Sequence, residues 1–267
     1  MEQKNLELST DQVTSQLRAL GIVPGDVVLV HASFRALRPV ENGARGLIDA
    51  LLHALGLPGT LVMPSWSDQD NTPFDPAASA AAKDLGVVAD LFWRMPGVLR
   101  SAHSFAFAAR GPQAGHITSD ALPIPPHIPE SPVGRVHELD GKVLLLGVDH
   151  RANTTLHLAE VFAGVPYGVP KNITVSRAGR PILITYAEND HCCERFALAD
   201  HWLRERGLQS EGLVGHAHAR LARARHIVDV ALPRLRQDPL LFLHALGSGC
   251  GECDDAHRSI AGWQQPA

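Results

Sequence analysis

The stretch Lys142–Glu160, KVLLLGVDHRANTTLHLAE, decides how this chain folds. Val143 to Val148 is apolar with no polar alternation, the pattern of a strand buried on both faces. A polar turn follows, and Asn153, Thr154 or Thr155 can cap a helix whose first turns hold His157 and Glu160. Three residues apart on a helix, these two side chains share a face and can meet at the mouth of a cleft. The competing reading of the same segment is an ordinary helix surface with one solvated His and one solvated Glu.

Upstream, the pattern repeats in order. Residues 11–20 read as a helix closed by the turn formers of Gly21-Ile-Val-Pro-Gly25. The apolar run 26–31 follows as a strand, 44–55 as a helix stopping at Gly56, and 59–63 as a second strand. Strand, helix, strand, with a third apolar strand at 143–148, implies an α/β fold with a mostly parallel central sheet flanked by helices. An inserted loop-rich region spans 65–141, with one helix at 86–93, a strand-like alternation at 101–109 and a proline-rich surface crossing at 121–129. Downstream, 173–175 and 181–186 read as hairpin strands around Arg177-Ala-Gly-Arg180, followed by a C-terminal helical part at 194–206 and 218–236. No low-complexity linker or internal repeat divides the chain, so a single domain over 1–267 is expected.

Composition bounds the function. The 267 residues carry 28 acidic and 24 basic side chains, a formal charge of -4, with no basic stripe. That argues against nucleic acid as the main partner. No signal peptide and no apolar run of about 20 residues is visible, so a soluble cytoplasmic protein with no membrane partner is expected. Oligomeric state stays open. G-x-G-x-x-G, Walker and G-x-S-x-G patterns are missing.

All four cysteines fall late, at Cys192, Cys193, Cys250 and Cys253. Cys250-Gly-Glu-Cys253 has the spacing of a metal knuckle, and His191-Cys192-Cys193 offers a second half-site for a structural zinc. Alternate residues of an extended chain face the same side, so the expected ligands are His191, Cys193, Cys250 and Cys253. Free thiols or a redox pair are the alternative. Just before this half-site, Glu188-Asn189-Asp190 puts two carboxylates beside an imidazole.

His31-Ala-Ser33-Phe34, Met63-Pro-Ser-Trp66, Ser101-Ala-His103 and Asn153-Thr-Thr-Leu-His157-Leu-Ala-Glu160 together resemble the aminoglycoside 3-N-acetyltransferases over nearly the whole chain. Gly164–Pro170, Glu188–Asp200 and the C-terminal Cys-Gly-Glu-Cys are similar to the type IV, apramycin-accepting subgroup in particular. Ser104 departs from the family, which usually shows Pro there. The resemblance implies the antibiotic N-acetyltransferase fold, distinct from the common N-acetyltransferase fold. It further implies acetyl transfer from acetyl-CoA to the 3-amino group of a 2-deoxystreptamine drug, in a ternary complex. On this resemblance the base is His157, its partner Glu188, and a further orienting acid Asp190. Acetyl-CoA would lie along His31, Ser33 and Phe34 and the crossing at Ser131 and Val133, with donors to the thioester oxygen near Ser33. A polycationic drug needs anionic and aromatic walls, for which Trp66, Asp68, Asp70, Asp75, Glu160 and Asp190 are candidates. A zinc hydrolase and a non-catalytic aminoglycoside-binding protein are the rival classes.

Overall fold

The structure, a computed structural model, describes residues 7–69, 71–119 and 122–263, with side chains through Ile260. Asp70 lies outside the described residues. Helix α1 (Thr10–Leu20) opens on Ser9 with a reciprocal cap, Ser9 and Gln12 each accepting the other's backbone N–H, and closes on Gly21. Strand β1 (Val27–Ala32), the short helix α2 (Phe34–Leu37), α3 (Gly43–Leu55) and β2 (Thr60–Pro64) follow. Next come α4 (Gly86–Trp93), β3 (Leu99–Arg100), β4 (Phe107–Arg110), α5 (Ala114–Thr118), α6 (Pro132–Glu138) and β5 (Lys142–Leu146). After α7 (Thr155–Ala163), a hairpin of β6 (Val169–Arg177) and β7 (Arg180–Glu188) precedes α8 (Leu198–Glu205). The chain ends with β8 (Gln209–Val214), β9 (Ala217–Arg223), α9 (Ala224–Gln237) and α10 (Gly251–Trp263).

Seven strands form one sheet in the order β3-β4-β2-β1-β5-β9-β8, and the hairpin is a separate two-stranded sheet. At the centre β1 runs parallel to both β2 and β5; the flanking pairings are antiparallel. Because side chains alternate along a strand, the central sheet feeds two cores. Val28, Val30, Leu144 and Leu146 join α1 and α3 on one face. Leu29, Val143 and Leu145 join α6, α7, α8 and α9 on the other. This three-layer arrangement is the expected α/β architecture, buried on both faces as the apolar runs require.

Leaving β5, the chain turns at Gly147 with φ +68°, where a Cβ would stand 2.6 Å from that of Ala36. Only glycine fits both the left-handed backbone and that close approach. Since β2 and β5 lie on opposite sides of β1, the crevice at their carboxyl ends is the natural ligand position of the sheet.

Three sequence expectations change. Residues 218–236 are not one helix: 217–223 form β9, whose inward Ala217, Ala219 and Leu221 pack against the core before α9 begins. The strand expected at 101–109 is confined to 107–110, because 101–106 loops back so that Ser104 and Ala106 carbonyls accept from Ser67 and Ser65. The proline-rich crossing is not wholly at the surface, since it delivers a buried His127 to the interior. Among the described residues no helix is long and apolar enough to cross a membrane.

Candidate active site

Helix α7 starts where Asn153 Oδ1 accepts the Thr155 N–H and stops at the left-handed Gly164. Its first turn aims His157 into a cleft of about 430 Å³ at the carboxyl ends of the parallel strands, beside His31, Trp66, Thr154, Cys193 and Phe196. Glu160, one turn on and fully buried, accepts from or faces four neighbours. His157 Nδ1 lies 2.8 Å from Oε2, His191 Nε2 lies 2.8 Å from Oε1, Asn189 Nδ2 donates to Oε2 at 2.9 Å, and the Tyr167 hydroxyl donates to Oε1. Burial alone would raise the pKa of this carboxylate, but His191 and His157 outweigh it and hold it at about 2.

The other ring nitrogen of His157, Nε2, meets Cys193 Sγ at 3.5 Å. Burial disfavours the imidazolium, yet Cys193 and then Glu160 outweigh that effect and raise His157 well above its ordinary pKa. One flank of the ring stacks on His127 at 4.6 Å between centroids, and Phe196 presses edge-on at 4.9 Å. Burial keeps the His127 pKa well below the usual histidine range, so a neutral ring lies against His157.

A second cleft of about 620 Å³ adjoins the first and shares Trp66, Asp84, Phe105 and Asp190 with it. Asp68, Asp84, Glu188 and Asp190 outnumber Lys83 and Lys171 in its lining, with Lys171 paired to Asp190, while Trp66 stacked on Phe105 at 4.5 Å gives it an aromatic floor. Burial raises the Glu188 carboxyl to about 7. On the opposite side a third groove of about 610 Å³ has Arg151, His216, His218, Arg220 and Asp149 in its lining, with Arg151 paired to Asp149 at 2.7 Å and Arg220 to Asp200 at 2.9 Å, and shares Val148, Arg151 and Ala152 with the central cleft.

The carboxylate on His157 is therefore Glu160 and not Glu188, because the i, i+3 spacing on α7 puts Oε2 directly on Nδ1. Glu188 accepts from the Tyr186 hydroxyl at 3.3 Å, with His127 Nδ1 3.5 Å away. Asp190 lines both clefts but pairs with Lys171 at 2.5 Å rather than with an imidazole. Glu160 itself is too deeply buried to form a drug-binding wall. Asp75 is spent on a local turn, accepting from the Ala77 N–H.

Along the expected cofactor path, His31 lines the cleft with Nε2 3.3 Å from Thr154 Oγ1. Ser33 gives its N–H to the Leu146 carbonyl at 2.8 Å, which removes that donor from any thioester oxygen. Phe34 packs against the core of α1 and α3. Ser131 caps α6 through the Gly134 N–H and Val133 is buried in the opposite core, so neither reaches the cleft.

The expected metal set does not assemble. His191 is used at both nitrogens, by Glu160 and by the Cys193 N–H, and Cys193 has φ +58°, which breaks the extended-chain alternation. Cys250 and Cys253 instead gather with Cys192 and His244. Sequence reasoning missed His127, Asn189, Tyr167 and Asp84. Asn189 stood in view as a spacer between two acids, and Tyr167 is one of only two tyrosines.

Residues 29–236 match the family model described as aminoglycoside 3-N-acetyltransferase. The chain belongs to that family. It is 64% identical over 233 residues to aminoglycoside N(3)-acetyltransferase IV of Salmonella sp, covering 87% of this chain and 89% of the relative. A histidine-to-alanine mutant of AAC(3)-IVa has been solved with gentamicin and with apramycin. The first superposes with a TM-score of 0.94 at 61% identity over 97% of this chain and 100% of that one. The second does so at 0.87 and 60% over 92% and 98%. AAC-IIIb in a binary complex with CoASH matches at 26% identity and a TM-score of 0.78 over 87% and 97%.

Proposed function

We propose that this aminoglycoside 3-N-acetyltransferase takes acetyl-CoA as cosubstrate and acetylates the 3-amino group of drugs such as apramycin and gentamicin. The observation that carries the reading is a histidine at the junction of an acidic, aromatic-floored cleft and a cleft that continues into a groove with basic side chains. An aminoglycoside amine is mostly protonated near neutrality and cannot attack until it loses that proton. In its neutral form His157 accepts it at Nε2, the raised pKa making that form a strong base; Glu160 holds Nδ1 and stabilises the imidazolium, and the freed nitrogen forms its bond to the thioester carbonyl carbon. The carbon–sulfur bond then breaks, the departing CoA sulfur takes the proton back from His157, and the second proton that the nitrogen sheds in becoming a neutral amide passes to solvent. Asp68, Asp84, Glu188 and Asp190 receive the remaining ammonium groups, with Trp66 beneath the sugar rings. The phosphates of CoA suit the groove of Arg151, His216, His218 and Arg220, and His31 and Thr154 border the path of its thiol arm. Thr154, which lines the cleft, is the candidate donor for the thioester oxygen in place of the Ser33 N–H.

A water activated by a metal on His157, Glu160 and His191 is the rival chemistry. The geometry favours a hydrogen-bond relay, because each oxygen of Glu160 lies 2.8 Å from its own imidazole. Zinc belongs to this reading as a structural ion apart from the reacting atoms. Dependence on an intracellular thioester fits a cytoplasmic site of action. The test is thiol release from acetyl-CoA on adding apramycin or gentamicin, with the acetyl group located on the product by NMR. Tight drug binding without thiol release would overturn the catalytic reading.

A further inference from the structure

Four soft donors converge below the active site. Cys192 Sγ lies 3.6 Å from Cys253 Sγ and 3.6 Å from His244 Nδ1, and Cys253 Sγ lies 3.9 Å from that same nitrogen. With Cys250 included, one ligand atom from each lies within 4.8 Å of all the others. A tetrahedral zinc with bonds of about 2.3 Å to sulfur and about 2.0 Å to nitrogen sets its ligands about 3.8 Å (S···S) and about 3.5 Å (S···N) apart. Both separations are present. All four cysteines are free thiols.

The surroundings also fit a thiolate site. Backbone N–H groups of Glu194, Cys253 and His244 point at Cys192, Cys250 and Cys253 respectively, so each sulfur has a donor able to stabilise negative charge. The His257 ring holds the carbonyl of His244 at 2.8 Å. Around the cluster the core is small, with Tyr167, Leu243, Cys253 and Ala256 as its buried members. A core of that size is a weak anchor for α10, and a metal is the usual reinforcement. Three of the four residues, His244, Cys250 and Cys253, lie beyond the family match, which ends at residue 236.

We propose that Cys192, His244, Cys250 and Cys253 bind one zinc ion in a closed tetrahedral site that staples the C-terminal helix α10 to the loop between β7 and α8. That loop places His191 on Glu160 and Cys193 on His157, so the staple sits one residue from two contacts of the base. Four protein ligands leave no open position, which makes the ion structural. The proposal stands independently of the acetyl-transfer reading.

Metal analysis of the full chain as purified is expected to give about one zinc per molecule. Replacement by cobalt(II) should give the visible bands of a tetrahedral thiolate site. Cys192→Ser and His244→Ala should lose the ion, whereas Cys193→Ser and His191→Asn should keep it. Should the ligand variants fail to fold, maleimide labelling of the wild-type protein decides the question. The native protein should label at Cys193 alone, and a strong chelator should expose the other three thiols. Equal labelling of all four cysteines without chelator, or loss of the ion from Cys193→Ser but not from Cys192→Ser, would overturn the assignment.

Discussion

Replacing Glu160 by glutamine tests the centre of the site in two independent ways. The carboxylate is fully buried, and its neighbours draw its pKa from 4.5 to about 2. A drop of that size corresponds to about 3 kcal/mol of folding stability carried by the ionised form. The penalty for removing one partner of a buried charge pair, about 3–5 kcal/mol, agrees with it. Since the folded-state pKa is depressed, this stability is complete above pH 4.5 and disappears as the pH falls toward 2. Glu160→Gln keeps the shape and removes the charge, so denaturant unfolding at pH 7 should show a loss of about 3 kcal/mol. The gap to the wild-type protein should narrow steadily below pH 4.5. At the same time His157 loses the acceptor that fixes its tautomer while keeping the cost of burial. Its pKa should fall, and kcat should drop on the order of 10²–10⁴-fold in a thiol-release assay at saturating substrates. Glu188→Gln leaves the Nδ1 contact intact and should act mainly on KM for the drug. A stability loss under about 1 kcal/mol would refute the charge argument. A kcat within about threefold of wild type for Glu160→Gln, with collapse in Glu188→Gln, would return the partner role to Glu188.

The remaining predictions concern the base, the acceptor cleft and the turn behind them. His157→Ala should lower kcat by about 10²–10⁴ with both substrates saturating, and a change under about threefold would remove it from the mechanism. Glu188, raised to about 7 by burial, stays protonated in the free protein below that pH, so its ionisation costs stability as the pH rises from 4.5 through 7. An ammonium group bound beside it reverses the preference. Calorimetry of drug binding at pH 6 in buffers of different ionisation heat should show up to about one more proton released by wild type than by Glu188→Gln, a difference gone by pH 8. Identical proton counts at pH 6 would rule this out. Gly147→Ala should cost on the order of 1–3 kcal/mol in urea unfolding, from a strained φ and the clash with Ala36. An effect below about 0.5 kcal/mol would show that the turn relaxes freely.

The parallel centre of the sheet was legible because β1, β2 and β5 are apolar runs buried on both faces, a pattern with few alternatives. Strand β9 was hidden for the opposite reason. Its period-two sequence Ala-His-Ala-Arg-Leu-Ala-Arg passes into α9 at Arg223–Ala224 with no Gly or Pro to mark the junction, so the helical pattern swallowed it. At the site, His157 and its i, i+3 neighbour could be read directly, whereas the family resemblance pointed to Glu188. The pair Cys250-x-x-Cys253 was visible, but the side chains it meets depended on the left-handed backbone at Cys193, which no spacing rule supplies. His127 gave no signal, because a histidine among prolines reads as surface until the fold turns it inward.

The hairpin of β6 and β7 has no strand pairing to the main sheet, yet Lys171, Asn172, Ile173 and Tyr186 line the second cleft, which the proposed function gives to the drug. On the proposed function, drug spectrum and proton chemistry are thereby written on different parts of the molecule. Exchanges on this ribbon can re-tune which antibiotic is neutralised while α7 and its buried relay stay untouched, so resistance can drift without the enzyme having to reinvent its catalyst. An inhibitor that leans on the hairpin would invite escape, while one gripping His157 through the central cleft would face a target with far less freedom to change.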